Sequence, residues 1–129
     1  MIQRSDLERV KEIAARHGFR FRRTAGLDML YGPAETARNA VRLLFSGEKV
    51  RPQQAVPNPP IRPQRKVILG NDVYVIPVAD LVQMKLSSNR DKDRVHIRSM
   101  DAAGLIGADI EASLPAELRM RLEHIRATE

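Results

Sequence analysis

Ser5-Asp6-Leu7-Glu8 has the form of a capping box, and Leu7, Val10, Ile13 and Ala14 then recur at helical spacing. Gly18 is a natural stop, so the pattern predicts a first helix over about Asp6 to His17. Phe19-Arg20-Phe21-Arg22 alternates apolar and basic positions, as a half-buried strand does. Leu27 to Tyr31 reads as a second short strand closed by Gly32-Pro33, and a brief helix is expected from Ala34 to Asn39. Ala40 to Phe45 is short, mostly apolar and ended by Ser46-Gly47, which is the pattern of a central strand covered on both faces.

The second half changes character twice. Between Lys49 and Lys66 lie five of the eight prolines (Pro52, Pro57, Pro59, Pro60, Pro63) and five basic residues, with no acid. Prolines at this density stop helices and inner strands, so the expectation is an ordered or semi-ordered arm over the surface. Its length exceeds ordinary connections and points to function or mobility. Val67-Ile68-Leu69, Gly70-Asn71 and Val73 to Ile76 then read as a β-hairpin ended by Pro77.

A helix carrying Leu81, Val82, Met84, Lys85 and Leu86 follows, with Asp80 in its first turn, where a negative charge meets the positive end of the dipole. Ser87-Ser88-Asn89 interrupts it, and Asn89 is expected to cap a helix from about Arg90 to Ala103, with Gly104 at its end. A short helix near Ala108 to Ser113 precedes a last one, opened by Pro115, with Leu118, Leu122 and Ile125 on one face. The sum is one α/β (α+β) domain over residues 1–129: a small mixed sheet flanked by helices. The hairpin and the Val41 to Phe45 strand are expected in one sheet, with the first helix packed on it.

Composition narrows the class. A chain of 129 residues with 43% apolar positions can bury one continuous core. The absence of cysteine excludes disulfides and thiolate metal sites. No apolar run approaches the ~20 residues of a membrane helix, and MIQRSDLERV lacks the apolar centre of a signal peptide. A cytoplasmic protein without a membrane partner is therefore the default expectation. Lys and Arg exceed Asp and Glu by 22 to 16, giving net charge +6. That excess favours a polyanionic partner (nucleic acid, nucleotide phosphate or an acidic protein), although an Arg-rich surface with no such role has the same composition. With no Trp, two Tyr and three Phe, the chain has little with which to stack single-stranded bases.

Charge concentrates in KLSSNRDKDRVHIRSM, from Lys85 to Met100. Lys85 follows an apolar helical face, so its stem lies on the core and its ammonium either snorkels into water or reaches a phosphate. Arg90 and Asp93 stand three apart and pair across one helical turn, with Lys92 between them and His96 one turn further on. Lys85, Arg90, Lys92, Asp93 and His96 are the candidate nucleotide- or phosphate-binding set; the alternative is a salt-bridged helix face. His17, His96 and His124 show no metal-ligand spacing, and no Gly-rich phosphate loop or Gly-x-Ser-x-Gly elbow occurs. The Arg20, Arg22, Arg23 cluster and the basic arm are a second candidate polyanion footprint.

VIPVADLVQMKLSSNRDKDRVHIRSM, from Val75 to Met100, resembles the C-terminal motif of small nucleotidyltransferase-like proteins of the DNA polymerase β-like superfamily, abortive-infection toxins among them. That motif is a helix carrying a Lys, then an Arg, then an Asp pair at helical spacing. AVRLLFSGEKVRP and GLIGADIEASLPAELRMRLEHI look like the same group, so the likeness runs from about Asp6 onward. The resemblance implies a Gly-Ser turn and an Asp-x-Asp strand in members that catalyse. This chain has no Gly-Ser dipeptide, and its only Asp-x-Asp, Asp91-Lys92-Asp93, belongs to a helix start. His96 occupies the place of the second Asp, and Arg42 the place of the third carboxylate on the central strand. The chain thus looks like the second part of the fold without its metal-binding part.

Nucleotidyl transfer needs Mg²⁺ to neutralise charge developing on phosphate, and Mg²⁺ is held through carboxylates that an Arg repels. The expected function is a degenerate or partial nucleotidyltransferase-like protein that binds a nucleotide or polyanion without turnover and without a cofactor. Two alternatives stand beside it. One is a partner or regulatory subunit, of toxin–antitoxin type or as a homo-oligomer, completed by another chain. The other is an active, Mg²⁺-dependent enzyme using carboxylates such as Asp28, Glu48 and Asp93.

Overall fold

A computed structural model describes residues 1–33 and 39–128. It is an α+β fold of two small antiparallel sheets and a helical half. The elements are α1 (Leu7–Arg16), β1 (Arg20–Thr24), β2 (Leu27–Tyr31), β3 (Val41–Leu43), β4 (Gln64–Ile68), β5 (Asn71–Val75), α2 (Val78–Ser88), α3 (Asp91–Ala102), α4 (Ala108–Ser113) and α5 (Ala116–Ala127). The brief helix expected from Ala34 to Asn39 falls mainly outside the described residues.

The helical half holds the main core. Val82 and Leu86 of α2, Ile97 of α3 and Leu118, Leu122 and Ile125 of α5 are almost wholly buried, with Ile106 and Leu114 closing the ends. Burying each such side chain is worth about 1.5–3 kcal/mol, so the three helices form the stable centre of the molecule. Arg126 ties α3, α4 and α5 together, holding both Asp101 oxygens at 2.8 and 2.9 Å and Glu111 at 2.8 Å.

The other half is the three-stranded sheet in the order β1-β2-β3, with α1 against β1; Leu7, Leu30 and Phe45 are its buried apolar side chains. Ile2 makes a parallel bridge beside Phe45: its N–H donates to the Leu44 carbonyl (2.9 Å), and its carbonyl accepts from Ser46 N–H (3.0 Å).

Several sequence expectations need correction. The hairpin and the Val41 strand do not share a sheet; among the described residues β4 and β5 pair only with each other. β3 is not central but lies at the end of the strand order, with Val41 and Arg42 exposed. An apolar run read as buried on two faces is here a short edge strand, because the sheet ends at β3. The hairpin starts at Gln64, so the Pro-rich arm is shorter than Lys49 to Lys66. Its turn is Leu69-Gly70 and not Gly70-Asn71, since Ile68 pairs with Asn71. Ser5 caps nothing, because Arg4–Asp6 form a 3₁₀ turn that leads into α1. Asn89 ends α2 in a left-handed conformation (φ 51°), and Arg90 is the N-cap of α3.

Candidate functional site

The corner between α2 and α3 is built around one carboxylate. Asp93 is 2% exposed. It accepts Arg90 Nε at 2.7 Å, a second guanidinium nitrogen at 3.2 Å and the Arg90 backbone N–H at 3.3 Å. That last bond caps the first turn of α3 with an acid, which the dipole favours. Burial opposes the charge on Asp93. The hydrogen bonds from Arg90 and the Ser88 hydroxyl, with the Arg90 charge, outweigh it and pull the carboxyl down to about 2. Lys85 Nζ stands 3.7 Å from the same carboxylate and 2.8 Å from His96 Nδ1. An ammonium has only donors, so Nδ1 accepts and the ring proton belongs on Nε2.

A cavity of about 180 Å³ opens beside this corner, lined by Lys85, Arg90 and Asp93 together with Arg42 and Arg51. β3 supplies Arg42, and the Pro-rich segment supplies Arg51. Four cations thus face one carboxylate, an excess of three positive charges. Lys85 and Arg90 are already committed to Asp93. Among the described residues neither Arg42 nor Arg51 has a carboxylate partner; Arg51 donates instead to the Ser88 hydroxyl at 2.8 Å.

A second cavity of about 450 Å³ adjoins the first, and Leu44, Val50 and Asn58 belong to both walls. Its charges are matched to each other. Arg4 grips Glu48 with two nitrogens (2.6 and 2.9 Å), reaches Asp28 at 3.4 Å and stacks 3.6 Å from the centre of the Phe45 ring. Arg23 holds Asp28 at 2.6 and 3.2 Å. The bond from Arg23, against the cost of burial and with Arg4 behind it, keeps Asp28 below its usual carboxylate range. Only Lys49 adds a positive charge to this cavity beyond the paired set.

The Pro-rich segment is fastened between the two halves. Ala55 and Val56 pack on the helical core, while Asn58 donates to the Phe45 carbonyl at 3.0 Å and Ser46 Oγ donates to the Pro59 carbonyl at 3.1 Å. Asn58 N–H donates to the Glu48 carbonyl, and Gly47 N–H to that of Asn58. Asn58 is 4% exposed and its Oδ1 accepts no bond.

No protein-family model, curated protein or solved structure matches the chain. Of the five residues singled out in the sequence, Lys85, Arg90 and Asp93 form one cavity wall. His96 is bound to Lys85 but lies off the wall, and Lys92 is exposed on α3 outside the cavity. The carboxylates Asp28, Glu48 and Asp93 do not converge as a metal set would: two are bonded to Arg4 and the third to Arg90. Among the described residues no group of three metal-ligating side chains forms. Gln54 and Asn58 were missed as site residues because they stand in a proline-rich stretch without periodicity, while Arg51 had entered only as part of the basic arm. Arg51 carried a faint signal, as one of five basic residues in a stretch, Lys49 to Lys66, that holds no acid.

Proposed function

We propose that this protein binds a phosphate-bearing ligand, a nucleotide by preference, in the cleft between β3 and the α2–α3 corner, and does not turn it over. The observation that carries the reading is the uncompensated charge of Arg42 and Arg51 beside the Lys85–Arg90–Asp93 wall. Guanidinium groups offer paired donors that match phosphate oxygens, and in a partly enclosed cavity their field is less screened than on open surface. Charge asymmetry favours a nucleotide over a long polyanion. One lobe has three surplus cations, and the neighbouring lobe is nearly balanced, holds the Phe45 ring and carries two carboxylates that would repel further phosphates.

The likeness of Val75 to Met100 to nucleotidyltransferase-like proteins supports the same reading, in a cytoplasmic protein. The engagement of Asp28 and Glu48 by Arg4 supports binding without transfer. A second reading, a subunit completed by a partner, draws on the β4–β5 hairpin, which leaves Val67, Ile68, Leu69 and Tyr74 exposed.

Calorimetric titration with ATP at two salt concentrations tests the proposal. Expected is weak, salt-sensitive binding that Arg42→Ala reduces, with no Mg²⁺-dependent incorporation of labelled nucleotide. Absence of binding at low salt would overturn it. So would incorporation that is abolished by a chelator.

A further inference from the structure

The segment that delivers Arg51 has neither helix nor strand of its own. Ordering each of its residues costs about 1–2 kcal/mol of backbone entropy, so something must fix it. Two buried polar side chains do. Gln54, 6% exposed, folds back so that its Oε1 accepts from the backbone N–H of Val50 (2.6 Å) and of Arg51 (3.0 Å). Ser87, 2% exposed on α2, uses one hydroxyl twice: it accepts from Val56 N–H at 3.0 Å and donates to the Val56 carbonyl at 2.8 Å. The Ser87 carbonyl adds a bond from Ala55 N–H at 3.3 Å. Serine inside a helix is intrinsically poorer than alanine, so α2 itself gains nothing from this hydroxyl. The next residue, Ser88, then receives the Arg51 guanidinium.

We propose that Ser87 is a positioning residue for the anion site, acting with Gln54 to hold the Pro-rich segment so that Arg51 faces the cavity. Ser87 is not on the cavity wall. Its effect on binding must therefore pass through the segment it fastens. The inference rests on the reading of the cleft as a phosphate site.

A double-mutant cycle on the full chain tests it, with ATP as the probe and with affinity and melting temperature both measured. Expected is that Ser87→Ala weakens binding about as much as Arg51→Ala, by ~3- to 10-fold. The double variant should then bind no more weakly than Arg51→Ala alone. A lowered melting temperature with unchanged affinity would mean that Ser87 serves the fold only, and would overturn the inference. Losses that multiply in the double variant would overturn it as well. If Ser87→Ala fails to fold, Ser87→Cys, which keeps the volume but replaces the hydroxyl by a weak thiol donor and acceptor, takes its place in the cycle, with the same expected and overturning results. Wild-type protein that does not bind ATP would remove the phosphate reading itself, and this inference with it.

Discussion

Lys85 Nζ lies 2.8 Å from His96 Nδ1, so the lysine best placed by sequence to meet a phosphate is held by the His96 ring and by Asp93. Asp93 already offsets much of the lysine's charge, so Lys85 adds less to the field at the cavity than an arginine without a carboxylate beside it. Among the described residues Arg42 and Arg51 have no carboxylate to leave. The order of effects follows. Arg51→Ala should reduce ATP affinity by ~3- to 10-fold and Lys85→Ala by less, while Lys92→Ala should leave it unchanged. Titration of the three variants at two salt concentrations checks this. A larger loss for Lys85→Ala than for Arg51→Ala would show that the lysine and not the arginine carries the site.

Asp93 should govern part of the acid sensitivity. Its folded value of about 2 lies below that of an unfolded aspartate. The stability it contributes is therefore present above about pH 4 and is lost as pH falls from about 4 to about 2. A shift of this size corresponds to roughly 2 kcal/mol. Asp93→Asn should lower stability at neutral pH by about that amount. The difference between wild type and variant should shrink steadily over the same acid window. Urea unfolding at a series of pH values measures it, and a difference that stays constant from pH 5 to pH 2 would refute the assignment.

Where periodicity was strong, the elements were legible: α1, the α2 to α5 run, and the apolar face of Leu118, Leu122 and Ile125 all follow from spacing. The pairing of Arg90 with Asp93 was legible for the same reason, being three apart on a helix. What spacing could not supply was long-range partnership. Nothing local distinguishes a central strand from an edge strand when both are three to six apolar residues, so the rank of β3 in the sheet was out of reach. The Pro-rich segment was opaque for a different reason. Its order depends on Ser87 and Phe45, 31 and 13 positions away from the residues they hold. Arg4 with Glu48, 44 positions apart, belongs to the same class.

The hairpin turn offers a test that is independent of ligand. Leu69 has φ 50° and Gly70 φ 78°, so both central turn residues are in the left-handed region, as in a two-residue type I′ turn. A glycine suits that conformation and leucine does not; the strain is of order 1–2 kcal/mol. Leu69 gains nothing in return from its contacts within the chain, being 96% exposed. Asparagine tolerates left-handed backbone and is favoured at this position. Leu69→Asn should therefore stabilise the hairpin by about 1 kcal/mol and slow amide hydrogen exchange across β4 and β5, leaving exchange in α5 unchanged. Unchanged or faster exchange in β4 would refute the assignment of strain to Leu69.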